Sequence, residues 1–297
     1  MEKLIDIIKN RLKKFTHLYS LYRWWKERSL QPNPPTFDEL REIPGCFGRV
    51  HRYDFMLTGN TSVEIEGYNR IGLGAYNLVA EAIFLTNRTI DEIEALLDYG
   101  CGYGRVTRVF AQKLIPQKVS VFDVDPGAVS FCASEFGVKP IYFNDNWDYK
   151  SVSFKTYDVI WLGSVFTHLS EKFTRQTYGL LFKILKPKGI LVFTTHGEKT
   201  LERLQEGYYG ERFQSLAPEI LDEFINRGFS FTPYEREEVD FLPFDFQRAD
   251  DFGMTWMSDT YVDNLIQDVS NGSLKKLKYK SLGWDSHQDT YYYQRVV

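Results

Sequence analysis

The chain has 297 residues, 43% of them hydrophobic, and a formal net charge of −4. This length and apolar content suffice for one large α/β domain with additions or for two small domains. The acidic balance argues against a broad phosphate-binding surface, so we expect no nucleic-acid partner. The three cysteines, at unrelated spacings, indicate neither a disulfide framework nor a metal site, and they favour a reducing cytoplasm.

The first thirty residues differ from the rest of the chain in charge. They carry eight basic and three acidic side chains, a net charge of +5, which leaves −9 for the remainder. Apolar side chains recur there at helical spacing, at Leu4, Ile8, Leu12, Phe15 and Tyr19. We predict a basic amphipathic helical extension over 1–30 and a proline-rich linker over 31–36. The apolar stripe suits the inner face of a membrane, a partner's groove, the chain's own domain or a second copy in a homo-oligomer, and the sequence favours packing on the domain or on a second copy.

Residues 37–297 are predicted to form one catalytic domain, which opens with a cap segment over 37–88. That segment includes an amphipathic helix over about 75–85. No apolar run in the chain reaches the ~18 residues that span a bilayer, and the N-terminus lacks a signal-peptide pattern, so we expect a soluble or peripheral protein.

The most informative motif is an apolar run that ends at Asp98 and is followed by three glycines at alternate positions, Gly100, Gly102 and Gly104. The apolar residues are typical of a buried parallel strand, and the glycines let the backbone turn sharply and approach a ligand closely. The spacing is D-x-G-x-G-x-G rather than the dinucleotide G-x-G-x-x-G, which disfavours a nicotinamide site. The motif predicts a cofactor loop.

The residues after this loop predict a β-α-β unit. A helical pattern is followed by a strand over 118–122, which ends at Asp123, 23 residues after Gly100. This is close to the offset of ~20 residues at which an acidic side chain accepts hydrogen bonds from ribose hydroxyls. A further helix is predicted to start at the N-cap Asp125 and to end before Gly137.

Further segments follow in an order that resembles class I methyltransferases that use S-adenosylmethionine. A strand over 140–143 precedes Asp145 and Asn146, a fourth strand covers 158–163, and a helix over 180–186, a turn over 187–189 and a strand over 190–195 follow. The resemblance covers about 90–235. It implies an α/β, Rossmann-like sheet of seven mostly parallel strands with helices on both faces. The sixth strand is expected near 229–234, an acceptor-site insertion at 240–284, and an antiparallel last strand at 289–297.

The resemblance also implies roles for individual residues in binding S-adenosylmethionine. The methionine part of the cofactor would lie against Gly100, Gly102 and the backbone near Tyr99 and Cys101, with Asp98 anchoring the strand end or the cofactor's ammonium. The remaining implied contacts are Asp123 with the ribose, Val124, Asp145 and Asn146 with the adenine, and Leu162 with the opposite wall. Capping of turns is the alternative role for Asp98 and Asp123.

Two histidines follow predicted strands at the edge where an open α/β sheet binds its ligands. His168 follows the fourth strand and His196 the fifth, so either is a candidate base that removes a proton from the acceptor. The alternatives, a helix-start residue for His168 and a turn residue for His196, stay open. Methyl transfer itself needs little acid–base help, because the sulfonium is already a good leaving group.

The acceptor side is more individual in sequence. Aromatic residues crowd 240–284, where they suit either a flat acceptor or a hydrophobic core, and core packing is the favoured interpretation. The segments 164–169, 194–197 and 284–289 resemble a bacterial methyltransferase group associated with carbohydrate and surface-glycan pathways. This resemblance implies O-methylation of a sugar or another small-molecule hydroxyl. The alternatives are a non-catalytic member that binds the cofactor, and a methyltransferase acting on a protein or nucleic acid.

Overall fold

The computed structural model describes residues 40–142, 156–235 and 249–296. The predicted N-terminal extension at 1–30, the linker at 31–36, Asp145 and Asn146, and the start of the insertion at 240–284 lie outside the described residues. None of the helices in the described ranges is both long enough and apolar enough to cross a membrane.

The described residues alternate helices and strands over most of their length. The strands are β1 (Leu40–Arg41), β2 (Val50–His51), β3 (Leu96–Tyr99), β4 (Val119–Phe122), β5 (Lys139–Ile141), β6 (Tyr157–Leu162), β7 (Leu185–Thr195), β8 (Phe229–Pro233), β9 (Gly253–Met257), β10 (Leu274–Trp284) and β11 (Gln288–Arg295). The α-helices are α1 (Ser62–Phe84), α2 (Thr107–Lys113), α3 (Pro126–Phe136), α4 (Glu171–Ile184), α5 (Glu198–Gln205), α6 (Glu211–Ser215), α7 (Ala217–Arg227) and α8 (Asp259–Ser270). Short 3₁₀ turns cover Ile90–Glu92, Pro116–Lys118 and Ala249–Asp251.

Seven strands form the main sheet, in the order β10-β11-β7-β6-β3-β4-β5. Strands β3 to β7 pair in parallel, and β11 is antiparallel to both β7 and β10. The predicted fold class, a seven-stranded mostly parallel sheet whose last strand is antiparallel, is therefore confirmed. Because parallel strands run in one direction, the loops after β3, β4, β6 and β7 meet at one edge of the sheet.

The side chains of the central strands alternate between two cores. One core packs α1, α2 and α3 on residues such as Val121, Val159 and Val192, and the other packs α4 and α8 on Ile160 and Phe193. This alternation follows from the two-residue period of a strand, and burial on both faces explains why the central strands are nearly all apolar. The expected helices on both faces are confirmed.

The strand predicted near 229–234 is present, but its expected place in the main sheet was wrong. Phe229–Pro233 does not join the main sheet but pairs antiparallel with Gly253–Met257 as a separate hairpin. The sixth strand of the main sheet is Leu274–Trp284, which the sequence analysis placed inside the insertion. This strand is rich in lysine, as befits an exposed sheet edge, and so lacks the apolar pattern of a central strand.

Two other boundaries differ from the prediction. The helix expected over about 75–85 begins at Ser62, where Thr61 and Glu64 form a reciprocal capping box. Its glycines weaken the helical pattern, but one of them, Gly72, is needed because a Cβ there would lie 2.5 Å from the carbonyl oxygen of Arg105. The turn expected at 187–189 lies within β7, where Lys188 has a φ of 61°.

Candidate functional site

The loop between β3 and α2 contains three glycines with positive φ, at 81° for Gly100, 49° for Gly102 and 86° for Gly104. A Cβ on Gly100 would lie 2.4 Å from a methyl group of Val165, and one on Gly104 would lie 2.5 Å from the ring of Phe136. These two glycines are therefore required by packing. A Cβ on Gly102 would meet nothing within 4 Å, so this part of the loop faces open space that a ligand can fill.

Asp123 follows β4 and faces this loop. Its carboxylate accepts the backbone N–H of Gly102 at 2.8 Å through one oxygen and that of Asp125 at 2.9 Å through the other. The turn-capping role considered for Asp123 is therefore present. Each carboxylate oxygen has a second lone pair, so a ribose hydroxyl can still bind. Burial raises the pKa of Asp123 to about 6.

Asp98 is 1% exposed at the end of β3 and accepts the hydroxyl hydrogen of Thr107, at the start of α2, at 2.6 Å. Burial, with a smaller contribution from the charge of Asp123, raises its pKa to about 7. Asp98 thus connects the strand to the helix beneath the glycine loop, which is the strand-end role predicted for it.

The other described residues that were predicted to bind the cofactor are Tyr99, Cys101, Val124 and Leu162. Tyr99, Cys101 and Leu162 are buried, and Val124 is half-buried beside Asp123. The side chains of Tyr99 and Leu162 pack in the core that contains α4, so only their backbone is placed to face the loop. The structure brings Asp98, Gly100, Gly102 and Asp123 together, and their binding roles stay predictions.

The loop after β6 is fixed across three strands. Ser164 has a φ of 61°, and its N–H donates to the hydroxyl of Thr194 on β7 at 2.8 Å. Gln288 on β11 joins both residues, since its Nε2 donates to Ser164 Oγ at 2.9 Å and its Oε1 accepts from Thr194 at 2.5 Å. A non-glycine residue in the left-handed region costs free energy, and this network compensates for it.

His168 lies in the same loop, with a defined tautomer. Its Nδ1 is 3.0 Å from the carbonyl oxygen of Gly253, which can only accept, and 3.1 Å from the hydroxyl of Tyr234, whose oxygen can also accept, so a hydrogen on Nδ1 is the arrangement that satisfies Gly253. Burial lowers the pKa of His168, which keeps the ring neutral at pH 7 and leaves a lone pair on Nε2. This is the protonation state that a general base requires.

His196 follows β7 and is 3% exposed. Burial, followed by the nearby His168 and His287, lowers its pKa well below the usual value. Its Nδ1 has no hydrogen-bond partner among the described residues. A buried polar atom without a partner is rare and calls for an explanation, such as a bound ligand.

Five aromatic rings, that of His196 included, pack together in a group that we call the His196 cluster. Its members are His196, Tyr208, Tyr209, Trp256 and His287. Ring centroids lie 5.3 Å apart for His196 and Tyr209 and 5.8 Å apart for His196 and Trp256. Tyr208 is 64% exposed whereas Trp256 is fully buried, so the cluster runs from the surface to the core at the edge of β7.

Sequence reasoning noted the aromatic segments but missed Arg203, on α5. Its Nη1 donates to His287 Nδ1 at 2.6 Å, and its Nη2 donates to the carbonyl oxygen of Ser286 at 2.6 Å. The available signal was an arginine in the first helix after β7. Asp289, which follows His287 at the start of β11, is buried and accepts from Tyr279 and Leu282.

The part of the chain that holds the glycine loop matches a protein family. Residues 97–191, which hold the glycine loop, Asp123 and the loop after β6, match the family described as "Methyltransferase domain". The match covers about a third of the chain. The match supports the predicted resemblance to methyltransferases over those residues. The glycan-associated subgroup is not confirmed.

Curated relatives of the methyltransferase domain are similar at low identity. The chain is 28% identical over 172 residues to a malonyl-[acyl-carrier protein] O-methyltransferase from Porphyromonas gingivalis, covering 57% of this chain and 63% of the relative. It is 31% identical over 123 residues to the enzyme of that name from Halalkalibacterium halodurans, and this match covers 40% of this chain and 45% of the relative. The chain spans less than two thirds of the length of these relatives.

Solved methyltransferase structures are similar as well. One is a SAM-bound amino pentose methyltransferase from Micromonospora echinaspora, with a TM-score of 0.47 and 14% identity over 78% of this chain and 95% of that chain. Another is magnesium protoporphyrin IX methyltransferase from Synechocystis PCC 6803 with bound SAH. Its TM-score is 0.48, with 12% identity over 80% of this chain and 89% of that chain.

Proposed function

We propose that this protein transfers the methyl group of S-adenosylmethionine to an oxygen of a small-molecule acceptor, with a sugar or glycan hydroxyl as the first candidate. The observation that carries the proposal is the pairing of Gly102, which faces open space, with the carboxylate of Asp123 on the same side of the loop. Both lie in the segment that matches a methyltransferase domain.

The residues around the glycine loop fit S-adenosylmethionine. The open face at Gly102 would admit the methionine part, and the free lone pairs of Asp123 would accept the ribose hydroxyls. When bound, the cofactor supplies a methyl group on a positively charged sulfur, which is an efficient leaving group. The protein's task is then to align the acceptor oxygen with that methyl group and to exclude water.

His168 is the stronger of the two candidate bases. Gly253 holds its Nδ1–H, so the Nε2 lone pair is oriented and available at neutral pH. His196 is more deeply buried within a ring cluster, which suits a role in shaping the acceptor pocket. A hydroxyl acceptor requires removal of its proton, whereas a carboxylate acceptor does not.

Two observations support small acceptors over the alternatives. The body of the chain is acidic, which disfavours nucleic acid. The His196 cluster places rings beside the strand ends, where a sugar ring or a flat acceptor can stack. The retained glycines and Asp123 argue against a member that has lost its cofactor. The names of the curated relatives add an acyl carboxylate as a second acceptor class, which Arg203 beside the cluster favours.

The first experiment is calorimetric titration of the purified protein with S-adenosylmethionine, S-adenosylhomocysteine and NAD. Saturable binding of the first two alone supports the proposal, and an absence of binding overturns it. An acceptor screen with radiolabelled methyl donor would then compare sugars and acyl thioesters.

With an active acceptor, His168→Gln should lower kcat by about a hundredfold or more, the range for loss of a general base, and leave cofactor affinity unchanged. Unchanged kcat would exclude His168 as the base.

A further inference from the structure

The guanidinium of Arg203 is held rigidly at the edge of the His196 cluster. Two hydrogen bonds of 2.6 Å fix it, one to His287 Nδ1 and one to the carbonyl oxygen of Ser286. The ring of Tyr208 lies 5.7 Å from its central carbon. Because arginine can only donate, His287 Nδ1 must be unprotonated, so in the neutral ring the hydrogen is on Nε2.

The acceptors that hold Arg203 are themselves fixed. Ser286 and Asp285 both have positive φ, at 52° and 53°, and His287 N–H donates to the carbonyl oxygen of Trp284 at 3.0 Å. This is the pattern of a type I′ turn, which usually requires glycine or asparagine. Arg70 on α1 forms an ion pair with Asp285 and holds the turn from the other side.

The charge of Arg203 is not neutralised. No carboxylate of the described residues forms an ion pair with it, and its two bonds go to a neutral imidazole and a carbonyl group. Other arginines near this region have acidic partners: Arg70 pairs with Asp285, Arg212 with Glu235 and Arg227 with Glu171. Arg203 is half-buried, so its charge is only partly compensated by water.

A second observation points to a ligand in the same place. His196 Nδ1 and Trp256 Nε1 are buried without hydrogen-bond partners among the described residues, and both rings belong to the cluster that Arg203 borders. Gly207 and Gly210, with φ of 80° and 95°, flank Tyr208 and Tyr209, and the ring of Tyr209 lies 5.3 Å from that of His196 and 5.7 Å from that of Trp256. A ligand that displaced the tyrosines would satisfy the unpaired groups.

We propose that the acceptor carries an anionic group, a carboxylate or a phosphate, which Arg203 binds through its remaining N–H donors while His287 and Ser286 keep the guanidinium in place. Arginine suits this role because its planar fork matches both anions and its charge never titrates away. The inference rests on the proposed function, since it names a property of the acceptor of that reaction. It assigns specificity to a residue outside the cofactor loop.

The test is a titration of histidine-¹⁵N-labelled protein, loaded with S-adenosylhomocysteine, at constant ionic strength. Sodium malonate and glycerol 1-phosphate are the anionic probes, and malonamide and glycerol are their neutral counterparts. We expect malonate or the phosphate to shift the side-chain resonances of His287 saturably, and we expect no saturable shift with the neutral molecules. The two anionic arms distinguish a carboxylate site from a phosphate site.

Variants separate specific binding from a general effect of charge. Arg203→Met should weaken anion binding about ten- to a hundredfold, the range for loss of a charged hydrogen bond, and Arg203→Lys should restore part of it. The matched control is Arg175→Met. It removes an exposed arginine on α4 that pairs with Asp268 on α8, and the variant should bind the anions as the wild type does. Far-ultraviolet circular dichroism verifies that each variant is folded.

Three outcomes would overturn the inference: neither anion binds, the neutral probes bind equally, or Arg203→Met and Arg203→Lys both retain full affinity. The failure of the proposed function would look different. In that case S-adenosylhomocysteine would not bind at all, and the same anion titration on the unloaded protein would still decide whether Arg203 forms an anion site.

Discussion

Ser164 and Gln288, 124 residues apart in the chain, are joined by a hydrogen bond of 2.9 Å that connects the loop after β6 to the start of β11. Gln288 also accepts from Thr194, so one buried amide positions the ends of β6 and β7. The cofactor side and the acceptor side of the candidate site therefore depend on the same side chain.

Gln288→Leu should reduce stability by about 1–3 kcal/mol, because the buried hydroxyl of Thr194 loses its acceptor and the hydroxyl of Ser164 loses a donor. Urea unfolding at neutral pH measures the change. Gln294→Leu on the same strand is the control, since among the described residues the Gln294 side chain makes one exposed bond, of 3.3 Å, to the carbonyl oxygen of Lys188, and its loss should change stability by less than about 0.5 kcal/mol. Equal losses in the two variants would contradict the role assigned to the network.

Gly104→Ala should mainly lower stability, whereas Gly102→Ala should mainly weaken ligand binding. The new methyl group on Gly104 would clash with Phe136 and Cys132, so we expect a loss of stability of about 1–3 kcal/mol. The methyl group on Gly102 would meet no protein atom but would fill the space proposed for the cofactor. Calorimetry should therefore show S-adenosylhomocysteine binding weakened by about tenfold or more in Gly102→Ala, with a smaller loss of stability. Unchanged affinity would place the ligand elsewhere.

Asp123→Ala should weaken the binding of S-adenosylhomocysteine by about ten- to a hundredfold, because the carboxylate is the proposed acceptor for the ribose hydroxyls. The variant also loses the bonds to Gly102 and Asp125, so its unfolding must be measured in parallel. Comparison with free adenine as ligand isolates the ribose contribution. If adenine loses as much affinity as the complete cofactor, the effect comes from the turn and not from the ribose.

Asp98 should make stability fall as pH rises. Its pKa is raised from 3.8 to about 7 in the folded protein, so the folded state binds more protons than the unfolded state between these values. The free energy of unfolding then decreases with pH across that window, with a slope of up to about 1.4 kcal/mol per pH unit. Asp98→Asn should reduce the slope in urea unfolding between pH 4 and about 7. Asp123 contributes in the same direction up to about pH 6, so the slope should not vanish.

The cofactor half of the site was predictable from the sequence because its residues are close in the chain. The loop from Asp98 to Gly104 and the acidic residue at 123 belong to one β-α-β unit, whose spacing is set by local geometry. The N-cap Asp125 and the left-handed Gly137 are likewise local features, and both lie in the structure where the pattern predicts them.

The acceptor half could not be predicted in the same way, because it is assembled from distant segments. His196, Trp256 and His287 come from three separate parts of the chain, and no periodicity reports their contact. The sixth strand was misplaced for a related reason. Strand Leu274–Trp284 is identified by its pairing with β11, whereas its lysine-rich sequence alone indicates an exposed surface segment.

The position of β11 has a consequence for the order in which the molecule assembles. This strand lies between β7 and β10, and Asp289 pairs with Thr195, about ninety residues earlier in the chain. Contacts of such long sequence separation form slowly, because the loop-closure entropy is lost before the contacts are gained. We therefore expect the glycine loop, built from neighbouring residues, to reach its native shape before the turn that carries His287.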